Sequence, residues 1–250
     1  MPDRTRSLPG LAALALLAVA LPACNEVASN DTIAAPDPIT IAPSELSYPK
    51  GPYGVQKGAI IDNFKFDGFV DSTRQSATLE PIAFADFYNP HADDPAYMPA
   101  SAALDDRLYP NGSLHGEGTP KPRALLVNVA AVWCGPCNEE AKNVFPGKHA
   151  RYKPCGGEFF LNLAESATQG SPATQKNLAS WGKKYKSDFP IVIDPKYQLA
   201  SFFDASAYPA NMIVDPRTMT VVEVVMGVPG ESFWQKFEEV LDAPDCLAKN

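Results

Sequence analysis

An apolar run, Ala124-Leu125-Leu126-Val127-Asn128-Val129-Ala130-Ala131-Val132, leads without a break into Trp133-Cys134-Gly135-Pro136-Cys137, after which residues 138–145 carry a helical pattern. This junction constrains the fold more than any other stretch of the chain. The run reads as a buried strand. Two cysteines three positions apart at a helix start lie on one face of its first turn, close enough to form or break a disulfide. Cys134 also meets the positive end of the helix dipole, which favours thiolate over thiol. The pair is suited to electron-pair exchange. A zinc site would need a second ligand pair. Cys24, Cys155 and Cys246 stand alone in sequence, and His91, His115 and His149 form no ligand pair, so no metal is expected. A purely structural disulfide closing so tight a loop would constrain the unfolded chain little.

Arg4 and Arg6 precede a nearly uninterrupted run of Leu, Ala and Val over residues 8–21. Such a run is short for a membrane-spanning helix and fits the core of an export signal. It closes on Leu21-Pro22-Ala23-Cys24, which resembles the lipobox of bacterial lipoproteins. That resemblance implies a cleaved signal over 1–23, a lipid on Cys24 and a place on the periplasmic side of the cell envelope. Asn25 in place of Asp after the cysteine favours the outer membrane over the inner. An ordinary cleaved signal with a chance cysteine is the competing reading. Residues 24–50 are polar, carry Pro36, Pro38, Pro43 and Pro49, and read as a flexible tether. The folded part is expected over 51–250, a length suited to one domain. With a formal net charge of −8 and no basic cluster, the chain is not expected to bind nucleic acid. No second apolar stretch reaches spanning length, so the lipid would be its only hold on the membrane.

Alternating apolar and polar residues predict a strand over 60–68, and a second short strand includes residues 82–84. Residues 89–123 are dense in Pro, Asp, Gly and Asn and read as a long surface insertion containing His91, Met98, Tyr109 and His115. Loops of that length often contact a partner, and a merely decorative loop is the other reading. Pro146-Gly147 is expected to break the helical pattern after the cysteines. A strand follows at 158–164, then a helix over 172–186 with Leu178, Trp181 and Tyr185 at helical spacing. Further strands are expected at 191–194, 211–214 and 220–226, the last two as a hairpin, with a short helix at 199–203. Residues 231–241 close with an amphipathic helix carrying Phe233, Trp234, Phe237, Val240 and Leu241.

Strand–helix–strand–helix–strand–hairpin–helix around a Cys-x-x-Cys resembles the thioredoxin fold, and residues 124–245 resemble it throughout. The detailed similarity is to the membrane-tethered, extracytoplasmic ResA/TlpA-type thiol–disulfide oxidoreductases. It is carried by residues 58–68, by Leu126-Val127-Asn128 through Cys137, by Leu161-Asn162-Leu163-Ala164-Glu165-Ser166, by 189–194 and by Tyr208-Pro209. The implied architecture is α/β, a central mixed sheet flanked by helices, with an N-terminal β-hairpin extension and the insertion at 89–123. In the implied chemistry Cys134 attacks a substrate disulfide and Cys137 then resolves the mixed disulfide. Trp133 would shield the attacking sulfur. Pro209 would be the cis-proline facing it, exposing the Tyr208 backbone to an extended substrate segment. Gly135-Pro136 matches the cytosolic thioredoxin pair and suggests a reducing poise.

Where thioredoxins have a buried Asp, this chain has Asn128, which cannot exchange a proton. The resemblance moves that role to Glu165. Family members often carry a proline eight residues after the nucleophile; here Lys142 stands there, which implies a straighter or shorter helix. The fold would bring Cys155 and Cys246 to the end opposite the active site. A disulfide between them, two free thiols, or an intermolecular bond all remain open. The implied function is reduction of protein disulfides by a monomer without a bound cofactor, re-reduced by a membrane electron donor. A thioredoxin-fold copper-handling protein is the alternative, since two thiolates accept copper(I). A peroxidase is not favoured, because the Pro-x3-Thr-x2-Cys setting is missing around Cys134.

Overall fold

The computed structural model describes residues 48–71, 73, 78–99, 104–199 and 207–249. The expected signal, Cys24 and all of the tether before Tyr48 lie outside the described residues, as does the expected helix at 199–203 beyond Leu199.

Among the described residues, strands β1 (Lys65–Phe69), β2 (Glu80–Ala83), β3 (Ala124–Ala131), β4 (Gly157–Glu165), β5 (Ile191–Ile193), β6 (Ala210–Asp215) and β7 (Thr220–Met226) form one sheet. Its order is β2-β1-β5-β4-β3-β6-β7. The three central strands β3, β4 and β5 are parallel, with Val127 opposite Phe160 and Asn162 opposite Val192. Every residue of β3 and β4 is buried, which explains their near-continuous apolar composition. Antiparallel β6 and β7 extend the sheet on one side, and the β1–β2 hairpin extends it on the other through β5. The helices are α1 (Gly135–Asn143), α2 (Phe145–Tyr152), α3 (Gln175–Tyr185), α4 (Glu231–Leu241) and α5 (Pro244–Leu247). This is the thioredoxin fold with an N-terminal hairpin added at one edge.

Successive side chains of a strand point to opposite faces, and Phe159 and Phe160 in β4 divide the core accordingly. Phe159 meets Phe145 of α2, Phe189, and Trp234 and Phe237 of α4. Phe160 meets Phe66 of β1 and Phe84 and Phe87 of the 3₁₀ turn Phe84–Phe87. The 3₁₀ turn after the hairpin therefore covers one face of the sheet while α2 and α4 cover the other.

Three local outcomes differ from the sequence pattern. The strand expected over 60–68 begins only at Lys65, because residues 58–61 bond instead to the start of β7: Ile61 N donates to Met219 O at 2.9 Å and Val221 N to Ala59 O at 2.8 Å. Pro146-Gly147 does not end the helical region. The break falls at Val144, and Pro146 occupies the first turn of α2. A proline's missing N–H is tolerated there, whereas inside a continuous helix its ring would clash with the carbonyl four residues earlier. The insertion expected as surface is in part packed inward. Asn89, Tyr109 and Lys121 are buried, Asn89 Nδ2 donates to Pro122 O at 3.0 Å, and the Tyr109 and His115 rings stack at 4.9 Å.

Cys155 and Cys246 are joined, with Cα atoms 5.7 Å apart. Their bond ties the turn after α2 to the short α5. No helix among the described residues is long and apolar enough to cross a membrane.

Candidate active site

β3 delivers the site. Its last residue, Ala131, is followed by Val132-Trp133 and then by Cys134, which caps α1 in an extended conformation (φ −73°, ψ 112°). The Cys134 sulfur accepts from the Cys137 backbone N–H at 3.1 Å, satisfying one of the free N–H groups of the first helical turn. Pro136 sits in that same turn, where it forfeits no helical hydrogen bond. The two cysteines form a disulfide with Cα atoms 5.3 Å apart. Both are nearly inaccessible, 2% and 1% exposed, while Gly135 and Pro136 between them face solvent. Asn138 staples the approach: its Nδ2 donates to Cys134 O at 2.6 Å and to Val132 O at 3.1 Å. Its Oδ1 accepts from the Tyr185 hydroxyl and from Lys184 Nζ. Sequence reasoning passed over Asn138 as an ordinary polar helix residue.

Trp133 lies partly buried beside the nucleophile, and its Nε1 donates to Glu165 Oε2 at 2.6 Å. Glu165 ends β4, is buried, and also accepts from Gly170 N at 2.9 Å. Its carboxylate is thus engaged in holding the indole and the 166–171 loop. The Trp133 ring meets the Tyr208 ring edge-on at 5.9 Å. The Tyr208–Pro209 peptide is cis, and Pro209 O accepts from Gly227 N at 2.6 Å. Tyr208 is buried with its hydroxyl lacking a hydrogen bond; burial first, and the Glu165 charge second, raise its phenol above the ordinary value.

The structure adds a group that the sequence reading did not single out. Glu140, one helical turn beyond Cys137, is 1% exposed. Asn128 Nδ2 of β3 donates to Glu140 Oε2 and Asn211 Nδ2 of β6 to Glu140 Oε1, each at 2.9 Å. Asn128 Nδ2 also donates to Asn211 Oδ1 at 2.9 Å. Burial pushes the Glu140 carboxyl up to about 8, against the opposing pull of the Asn211 and Asn128 amides. The available signal was its three-residue spacing from Cys137, which puts both side chains on one helix face. In Asn138-Glu139-Glu140-Ala141-Lys142-Asn143 five of six residues are polar, so nothing in the composition sets Glu140 apart.

The histidines lie in other contacts. His91 pairs with Asp106 at 2.9 Å, His115 packs against Tyr109 and Phe87, and His149 bonds Glu158 at 3.3 Å. No group of three His, Cys, Asp or Glu among the described residues is arranged to hold a metal ion. The Cys134–Cys137 pair at a helix start, beside the buried, protonatable Glu140, is an arrangement able to exchange a disulfide.

No protein-family model matches the chain. It is similar to the thiol-disulfide oxidoreductase ResA of Bacillus subtilis, 28% identical over 112 residues, which are 45% of this chain and 58% of that protein. The chain thus spans little more than half the length of that relative. A secreted thiol-disulfide isomerase from Corynebacterium glutamicum overlaps it with a TM-score of 0.47 at 12% identity, over 77% of this chain and 91% of that one. A DsbF homologue from Corynebacterium diphtheriae gives the same TM-score at 12% identity, over 75% and 90%. The fold assignment rests on the strand order and connections described above, not on these overlaps.

Proposed function

We propose that this chain, a member of the thioredoxin superfamily, is an extracytoplasmic thiol–disulfide oxidoreductase that reduces protein disulfides. The observation that carries the reading is the Cys134–Cys137 disulfide at the cap of α1, with the Cys134 sulfur accepting the Cys137 N–H. In the reduced protein that N–H and the helix dipole would stabilise a Cys134 thiolate.

The thiolate attacks one sulfur of a substrate disulfide. A Cys134–substrate bond forms, the substrate S–S bond breaks, and the other substrate sulfur leaves as a thiolate. Cys137 then attacks Cys134, restoring the internal disulfide and releasing the second substrate thiolate. Two electrons pass to the substrate. Cys137 must lose its proton to attack, and Glu140 is a buried carboxyl one turn along the same helix. Its raised proton affinity in the oxidised state suits it to hold that proton until the pair is reduced again. Glu165, which the sequence resemblance suggested for this step, has the different contacts described above. Its role in the proposal is to hold Trp133 against the nucleophile.

Pro209 and Tyr208 would present backbone to an extended substrate segment, with Gly135 and Pro136 as the exposed contact. The reading includes a lipid on Cys24, a periplasmic location with the outer membrane favoured, and a monomer re-reduced by a membrane electron donor. No bound cofactor is required. Cys137→Ser is expected to accumulate a mixed disulfide between Cys134 and client proteins, separable on non-reducing gels, whereas Cys134→Ser accumulates none. If a peptide disulfide is not reduced by the dithiol form, and Cys137→Ser traps nothing, the proposal fails.

A further inference from the structure

The cluster beneath the disulfide can be counted hydrogen by hydrogen. Asn128 and Asn211 together own four amide hydrogens. Those of Asn128 go to Glu140 Oε2 and Asn211 Oδ1; those of Asn211 go to Glu140 Oε1 and to Gly227 O, the last at 3.2 Å. Every amide hydrogen is used, and both carboxyl oxygens accept one. That pattern fits an anionic carboxylate. A neutral Glu140 carries one hydrogen more and needs one acceptor more. Within this cluster the acceptor without a partner is Asn128 Oδ1, buried in the core. Satisfying a protonated Glu140 therefore takes either a reoriented amide or the sulfur of Cys137.

We propose that Asn211 is a positioning residue for the proton step: it fixes the Glu140 carboxyl for exchange with Cys137 and couples that carboxyl to the loop where substrate would lie. The coupling is covalently short. Asn211 follows Pro209 by two residues, its second hydrogen holds Gly227 O, and Gly227 N holds Pro209 O at 2.6 Å. A substrate segment pressing on Pro209 or Gly227 would shift the donor on Glu140 Oε1. No charged side chain is among the influences on Glu140: burial, Asn211 and Asn128 account for it, so the amides are the adjustable part. Cys137, on the same helix, is the titratable neighbour. This inference deepens the proposed disulfide exchange and rests on it for the identity of the proton's partner.

The test compares Asn211→Leu, which fills the space without a donor, with Asn211→Thr, which leaves a hydroxyl donor and a smaller side chain. The Glu140 carboxyl is followed by carbon-13 NMR titration of the oxidised protein, and the rate of mixed-disulfide resolution is followed against pH. The carboxyl midpoint in Asn211→Leu is expected to rise by about one pH unit, the size of one hydrogen bond to a charged group. Resolution at pH 7 is expected to slow about tenfold and its profile to move to higher pH, with Asn211→Thr between Leu and wild type. A space-filling role predicts the reverse order, with Leu nearer wild type. An unmoved carboxyl midpoint, or that reverse order in folded variants, overturns the proposal. Failure of the wild-type dithiol to reduce any disulfide would instead overturn the functional reading, while the carboxyl titration still judges the clamp.

Discussion

Glu140 and Glu158 are both buried carboxyls, yet they respond to pH in opposite senses. Around Glu140 two neutral amides do not offset desolvation, and the proton is held up to about 8. Burial likewise pushes Glu158 up, but the hydrogen bond from His149 and the charges of Lys153 and His149 outweigh it and leave its carboxyl below the ordinary value. For Glu140 the folded state binds the proton more tightly than the unfolded chain. Its contribution to stability is therefore complete below the unfolded carboxyl range and disappears as pH rises toward 8 and beyond. Taken over that span the difference is about 5 kcal/mol. Oxidised protein carrying Glu140→Gln should accordingly melt at a temperature nearly independent of pH between 5 and 9 as far as this group is concerned. The wild type should lose stability relative to it toward pH 9, as read by parallel thermal melts. A wild type that holds its melting temperature on alkalinisation as well as the variant does would rule out a buried, proton-retaining Glu140.

At the scale of elements, the junction between α1 and α2 shows how one proline can divide a helix without ending it. Val144 N still donates to Glu140 O at 2.9 Å and Lys148 N to Val144 O at 3.1 Å, so the backbone continues across the break. The shorter α1 keeps Glu140 and Cys137 on the face toward β3. Beyond the break, α2 is pinned to the start of β4 by Glu158, which accepts from His149 Nε2, from Phe159 N at 2.9 Å and from Lys153 Nζ. Deleting this buried acceptor strands its partners. Glu158→Ala is expected to cost about 3 kcal/mol in denaturant unfolding at pH 7 and less at pH 3, below the unfolded carboxyl range, where protonation has begun to remove the carboxylate's advantage. An equal loss at both pH values would mean that packing, not charge, holds the two elements together. β6, β7 and α4 matched the sequence pattern closely because short apolar, β-branched runs and a period-3.6 apolar stripe are local properties. The insertion at 89–123 has no such period, so its packing through Asn89, Tyr109 and Lys121 was not legible.

For the molecule as a whole, the length of β3 separates two sulfur pairs: Cys134 follows its end, while Ala124 at its start pairs with Gly157, two residues after Cys155. One closes the first turn of α1; the other, Cys155–Cys246, closes a span of 91 residues that includes β4 to α4. A cross-link over a loop of that length restricts the unfolded chain by about 3–5 kcal/mol in the chain-entropy model. Replacing Cys155 and Cys246 together by serine should lower the unfolding free energy by that order, read by denaturant titration. The reduction potential of Cys134–Cys137 should stay where it was, since the two pairs share no residue. A shift of that potential would reveal coupling between the ends of the domain. Sequence alone determined the strand-to-helix junction, the dithiol at its mouth and the order of elements, because each is written in contiguous residues with a local period. Only the tertiary structure decided which carboxyl lies beneath the dithiol. Asn128, Glu140 and Asn211 come from β3, α1 and β6, and a hydrogen-bonded cluster drawn from three elements exists only once their packing has excluded water from between them.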